Sequence, residues 1–425
     1  MSMSIGLSGL RATSESLGVI SHNIANVSTA GFKSARAEFA AVYGGGQPGG
    51  VEVNNVSQNF DRDGDVVNTG RALDLAISGN GFFMTSLNGQ TAFTRAGTFN
   101  RDANNYIVSG NGMRLQGNMV NEAGELQQGV IEDLRVDGAG LPAKASTRVD
   151  FTANLKADAE IPATAFDVED ATSYNFSQSS EVFDSLGTRH VMTQYFVKTG
   201  ANEWQQHFYV DGEPVNPAPP PAPPAPAPAK PGSLPGVTMT FDSEGKFSSV
   251  TGTNAVVHPT DAKLSQISLA FTPNGGANPV NVTMSPAAMT QYAGEFSVSR
   301  NQPDGYTAGE LAGIRFESNG DMYAVFTNGQ DQIKGKVVMA NFANPNGLRQ
   351  GDGTSWHQSF ASGAAVMGDP GTGTLGTLTA GAYEGSNVDL TGELVNLMTA
   401  QRNYQANSKS ISAADKMTQV LFNSF

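Results

Sequence analysis

The chain contains no cysteine. Disulfides, thiolate nucleophiles, cysteine-ligated zinc and iron–sulfur centres are excluded together, so cohesion must come from packing. Long apolar runs are missing as well. No segment approaches the roughly 18 continuous apolar residues of a membrane span, and membrane insertion is not expected. Ser, Thr, His and Asn break every apolar stretch near the start, and no basic segment precedes one, so no cleaved signal peptide is expected. Positive charge is scarce: 25 Lys and Arg against 39 Asp and Glu leave a net charge of −14. That balance opposes binding to nucleic acid or anionic lipid.

What remains is an apolar share of 39%, enough to fold, with 49 Gly, 21 Pro and many uncharged polar residues. This composition suits many short strands better than long charged helices. A length of 425 residues suits two or three domains.

Helical periodicity is confined to the two ends. Leu10, Leu17, Ile20, Ile24 and Val27 recur at sevens, threes and fours, and Gly31 offers a left-handed stop. Near the other end Leu390, Leu394, Leu397, Tyr404, Ile411, Ala414, Met417 and Leu421 repeat the pattern. Ser386 with Asp389 reads as a capping box, and a helix from Asn387 to Asn423 would be a rod of about 55 Å. Stripes this narrow fit an amphipathic helix lying on its own domain's core. They also fit a coiled-coil seam between the two ends or between molecules. Residues 31–72, rich in Gly, Asn and Asp, offer the first helix little core, which favours the seam.

The middle reads as strands. Leu73, Leu75 and Ile77 alternate, and Phe82-Phe83-Met84 leads to the turn pair Asn88-Gly89. Asn319-Gly320 and Asn328-Gly329 bracket a strand Met322–Phe326, giving a three-stranded meander. Val149, Phe151, Ala153 and Leu155 alternate, as do Val191, Thr193, Tyr195 and Val197. With no helix between these strands, a βαβ architecture is not expected. One low-complexity tract, Pro217–Pro228, reads as an extended polyproline spacer projecting from a hairpin between strand-like Trp204–Val210 and Val237–Phe241.

Chemistry-bearing motifs are weak. Gly371, Gly373 and Gly376 match G-x-G-x-x-G, but no helix opens at them, so they read as a connector. Asp61, Asp63 and Asp65 begin like a calcium loop, yet Val66 and Ala72 stand where it needs Gly and Glu, and a solvated turn is the better account. His22, His190, His207, His258 and His357 have no metal-ligand spacing. No catalytic, cofactor or metal site is expected, and the chain does not read as an enzyme.

The ends carry more specific information. The block 21–33 contains Asn23, Ile24, Ala25, Asn26, Gly31 and Phe32. The block 384–390 contains Ser386, Asn387, Val388 and Asp389, and Gln401, Arg402, Tyr404 and Gln405 follow in 401–407. With blocks at 73–117, 309–313 and 340–345, these resemble the signatures of the bacterial flagellar rod and hook protein family over roughly 1–120 and 305–425. The central insertion 151–299 points to the hook rather than the shorter rod members.

The resemblance implies a mainly β protein of nested discontinuous domains whose terminal helices form a coiled-coil-like domain. Its expected divisions are 1–72 with 378–425 as a terminal polymerisation domain, 73–150 with 300–377 as an inner β domain, and 151–299 as an outer β domain carrying the Pro-rich insertion 214–235. It implies a subunit that polymerises into the curved tube transmitting torque from rod to filament. Its implied partners are itself, the rod, the hook cap, the hook–filament junction proteins and the type III export apparatus, with an extracellular location. A distal rod or hook-associated protein, or remotely a secreted β-rich adhesin, are the competing readings.

Overall fold

The computed structural model describes residues 2–44, 47–121, 124–215, 236–252, 255–256 and 265–423. The Pro-rich tract Pro217–Pro228 lies outside them. The chain divides into two compact units, residues 1–138 with 312–325 and 331–425, and residues 139–311 with 326–330.

In the first unit, helix α1 (Ser2–Ala25) is followed by a hairpin of β1 (Ala35–Gly44) and β2 (Gln47–Gln58). This hairpin gives the helix a partner within 31–72, where little core was expected. The Ser8 hydroxyl, on α1, accepts from the Val51 amide at 3.2 Å, so helix and hairpin touch directly. Helix α1 also stops earlier than Gly31. Asn26 folds back, its side-chain amide donating to the His22 carbonyl at 2.9 Å, and Val27 lies in the turn beyond. Gly31 is needed for another reason. Its φ is +67°, and a Cβ there would stand 2.3 Å from the Ala96 amide nitrogen.

A large sheet forms the body of this unit. One path through it runs Leu311–Phe316, Asp321–Phe326, Asp331–Val337, Arg114–Val120, Phe82–Leu87, Gln90–Thr94 and Ser355–His357. The first three are the meander expected from the Asn-Gly pairs. Asn88 and Gly89 take φ of 52° and 81°, the two-residue turn that matches strand twist and joins Phe82–Leu87 to Gln90–Thr94. Phe82, Phe93, Phe342 and Trp356 meet edge to face at 4.8–5.9 Å in its core. Two small sheets join early chain to late chain: Val66–Asn68 with Ala382–Glu384, and Leu75–Ser78 with Thr377–Ala380.

The second unit is a β-sandwich. Val149, Phe151, Ala153 and Leu155 point inward from strand Arg148–Lys156. They meet Met192, Phe196, Trp204 and Phe208 of the other sheet in one core. The alternating set Val191, Thr193, Tyr195 and Val197 lies on the opposite face of strand Arg189–Gly200 from buried Met192, Gln194 and Phe196. Strands Glu203–Val210 and Val237–Phe241 pair antiparallel, so the Pro-rich tract joins two neighbours. Two short parallel pairings occur, Arg148–Lys156 with Val280–Met284 and with Thr290–Tyr292.

Candidate functional site

Helix α2 (Leu390–Asn423) begins at Leu390 rather than Asn387. The Asp389 carboxylate accepts from the Thr391 amide at 3.1 Å, and its carbonyl accepts the first helical bond from Glu393 at 2.9 Å. Asp389 is therefore the cap, in place of the Ser386 capping box expected. The Ser386 hydroxyl accepts instead from Val388 at 3.3 Å, ahead of the helix.

Helices α1 and α2 pack antiparallel. A Cβ on Gly6 would lie 2.8 Å from Ile411 Cγ1, and one on Gly9 would lie 2.8 Å from Asn407 Nδ2. At the far end the Asn23 side-chain amide donates to Glu393 Oε1 at 3.1 Å. These three crossings share one register. On α2 the less exposed positions are Gly392 in the first turn and then Glu393, Leu397, Ala400, Asn407, Ile411 and Ala414, which keep heptad spacing with Tyr404 in the same series. On α1 the facing series is Gly6, Gly9, Thr13, Ser16, Ile20 and Asn23. The small residues let the two backbones approach closely.

The expected helix residues divide accordingly. Ile20 is buried; Leu397 and Ile411 are half-buried in the seam series. Leu10, Leu17 and Ile24 are half-buried one position round from Gly9, Ser16 and Asn23, and Val27 is half-buried beyond the helix. Leu390, Leu394, Tyr404 and Met417 are exposed. The side chain of Leu421 lies outside what the structure describes. Val395 and Met398 join Leu390 and Leu394 in an exposed apolar face, and Phe39, Val42 and Tyr43 are exposed on the hairpin.

Where the helices leave the body, signature residues form a polar lock. Asn23 makes paired bonds with the Ala35 backbone, its amide donating to the carbonyl at 2.8 Å and its oxygen accepting from the amide at 2.9 Å. Asn387 is buried. Its amide donates to the Asn59 and Arg62 carbonyls at 2.8 Å each, and its oxygen accepts from Ser34 at 2.7 Å. The Phe32 ring is buried and meets His22 edge to face at 5.3 Å. Ala25, Gln401, Arg402 and Gln405 are exposed, while Asn26 and Val388 are half-buried.

Beside this lock lies an ionic cluster that no chemistry-bearing motif of the sequence marks. Glu384 is fully buried and holds Lys33 Nζ at 2.8 Å and Arg95 at 3.0 Å. The Gly64 amide donates to the same carboxylate at 2.9 Å. Asp63 adds weaker pairs to Arg95 at 3.5 Å and Lys33 at 3.7 Å, so one of the three aspartates read as a solvated turn has partners. Burial pushes the Lys33 ammonium below its ordinary range, with Glu384 opposing that shift. Positive charges from two early segments thus converge on one late carboxylate. A Lys, an Arg and a Glu standing inside otherwise Gly- and Phe-rich blocks were the available signal, since buried charge is rare unless paired.

Matches to known families follow the same outline. The family described as Flagella basal body rod protein matches residues 3–33, and Flagellar basal body rod FlgEFG protein C-terminal matches 379–424. Flagellar hook protein FlgE/F/G D1 domain matches 76–182, and Flagellar basal body protein FlaE D2 domain matches 154–306. The class so defined is the rod and hook proteins of the bacterial flagellum. Within it, the chain is 36% identical to Flagellar hook protein FlgE of Salmonella typhimurium over 428 residues, covering 100% of both chains. It is 30% identical to that of Rhizobium meliloti, covering 99% of this chain and 98% of the relative. A crystal structure of the Helicobacter pylori flagellar hook protein FlgE2 shares the fold with a TM-score of 0.50 at 14% identity, covering 73% of this chain and 98% of that one. The chain belongs to the flagellar hook protein family.

Proposed function

We propose that this chain is the structural subunit that polymerises into the flagellar hook, and that its paired ends carry the assembly. The observation that carries this reading is the apolar surface left open there: Leu390, Leu394, Val395 and Met398 on α2, with Phe39, Val42 and Tyr43 on the hairpin. Contiguous exposed apolar surface marks an interaction site. A single subunit already uses the Gly6–Asn23 seam for its own helices, so these outer residues remain for neighbours. Contacts between unlike surfaces that do not close build a helical tube.

In this reading residues 1–72 with 378–425 are the polymerisation domain, 73–150 with 300–377 the inner β domain and 151–299 the outer one. The terminal helices hold loosely in the lone subunit and order fully when neighbours add partners. The protein acts without catalysis, its location is the extracellular hook, and export proceeds through the type III apparatus as an unfolded chain. Rod, cap and junction proteins contact the two ends of the tube. Full-length similarity to hook proteins and the match over 154–306 favour the hook over the rod. Sedimentation with electron microscopy of the purified chain tests the reading. Tubes that Leu394→Asp abolishes are expected; tubes unaffected by that change would overturn it.

A further inference from the structure

Phe360 of the first unit is fully exposed, whereas no other described large apolar side chain exceeds 71%. Its backbone is tied down on both sides of the ring. The Ser359 hydroxyl donates to the Gly347 carbonyl and accepts from the Ala361 and Ser362 amides at 3.1 and 3.2 Å. The buried Ser362 hydroxyl accepts from the Ser359 amide at 2.9 Å, and Asn344 Nδ2 donates to the Ala361 carbonyl at 3.0 Å. A Cβ on Gly347 would collide with the Ala361 backbone, so the loop lies directly on the turn Pro345–Gly347. Val366 and Met367, on the strand that follows, are exposed as well. A lone ring held out by anchored backbone has the form of an interface anchor, and such an anchor needs a pocket on its partner.

The same unit holds such a pocket, away from this ring. Between α1, α2 and the β1–β2 hairpin lies a hollow of about 640 Å³, lined by Ile5 and Ala12, by Phe39, Val42 and Val51, and by Ala400. It sits toward the hairpin tip, where Val42 pairs with Gly50 and β1 ends at Gly44. The Phe360 loop stands at the hairpin base. There Trp356 Nε1 donates to Gln58 Oε1 at 2.6 Å, and Asn346 lines one cavity with Ser57 and Asn59. From Ala35, which pairs with Gln58, to Val42 is seven residues, roughly 23 Å of strand. Ring and hollow thus lie toward opposite ends of one hairpin, and the ring can fill only the hollow of another copy. The outer apolar residues of α2 run along a helix and need a groove, whereas a hollow bounded by three elements suits a single ring.

We propose that Phe360 anchors a contact between copies of this chain, its ring seated in a neighbour's hollow between Ile5, Phe39, Val42 and Ala400. The proposal rests on the reading of the chain as a polymer subunit, and adds to it one ring and the pocket that takes it. Each copy offers its ring to one neighbour and its hollow to another. A contact between two unlike surfaces set apart on the same molecule propagates from copy to copy, as a helical assembly requires.

The test compares the full chain with Phe360→Ala, measuring the free subunit that remains in equilibrium with pelleted tubes. The exposed ring supports no core, so the variant should keep its circular dichroism while its free concentration rises about tenfold or more. Phe360→Leu, which keeps an apolar knob, should recover part of that loss. The absence of cysteine makes a second readout specific. Phe360→Cys chains and Val42→Cys chains, assembled together and exposed to a mild oxidant, should give disulfide-linked dimers joining one of each. Neither variant can form that link within its own chain. Tubes of the unaltered chain with no change on Phe360→Ala would overturn the proposal alone, as would mixed tubes that yield no such dimers. An unaltered chain that forms no tubes would overturn the polymer reading, and the proposal with it.

Discussion

The sandwich and the paired chain ends use apolar side chains in opposite ways. In the sandwich, Leu155, Phe196, Trp204 and Leu269 are almost completely enclosed, and even the Trp204 ring nitrogen donates to Gln291 at 2.9 Å. Among the described apolar side chains of α1 and α2, only Ala12, Ile20 and Ala400 are buried. One region finishes its burial within a single chain; the other leaves most of it undone. An element with more apolar residues than its own fold can cover is stable only with a neighbour, which is what a polymer subunit needs at its ends.

Breaking the closed region should have the largest effect on stability. Trp204→Ala removes a fully buried ring from the sandwich and is expected to destabilise that unit by about 3–5 kcal/mol in urea unfolding. Glu384→Gln strips the buried carboxylate from Lys33 and Arg95. A loss of similar size, about 3–5 kcal/mol, is expected in the first unit, because two buried cations are left with only the longer pairs to Asp63. Denaturation midpoints followed by fluorescence and circular dichroism check both.

The open region should respond in assembly rather than stability. Leu397→Asp, in the helix seam, should stop tubes from pelleting while the β units keep their circular dichroism. Leu394→Asp, on the outer face, should also stop tubes but shift the monomer's unfolding by no more than about 0.5 kcal/mol, as exposed positions do. A monomer destabilised equally by both changes would erase the distinction between inner seam and outer face.

The smallest expected effect is on acid stability of the sandwich. Burial disfavours the Asp304 charge, yet hydrogen bonds from Thr147 and the Arg148 amide outweigh it and, with Lys144, hold the carboxyl at about 2. A folded value below the unfolded one means stability that is complete above the ordinary carboxylate range. It is lost as pH falls from about 4 towards about 2. Asp304→Asn should flatten that part of the pH profile; an unchanged slope would remove Asp304 from the account.

How far the sequence reveals these regions depends on where each signal resides. The hairpin at Asn88-Gly89 and the strand Arg148–Lys156 are legible because turn chemistry and alternation are local. The helix seam is only half legible. Its α1 side is built from Gly6, Gly9, Thr13 and Ser16, which carry no hydropathy, so the eye falls on Leu10 and Leu17 one position away. The β1–β2 hairpin is hidden for a related reason: its Ala and Val residues are scattered among Gly, Asn, Gln and Glu, and its pairing rests on backbone bonds and contact with α1. The Lys33–Glu384 pair joins residues 351 positions apart, a distance no local pattern spans.

Amide hydrogen exchange on the dilute subunit and on assembled tubes tests the central claim most directly. In the lone subunit, amides of α1 and α2 should exchange far faster than those of strand Arg189–Gly200, and in tubes they should slow to match it. If α1 and α2 are already as protected as that strand in the lone subunit, and assembly adds nothing, the ends are complete without neighbours and the account is contradicted.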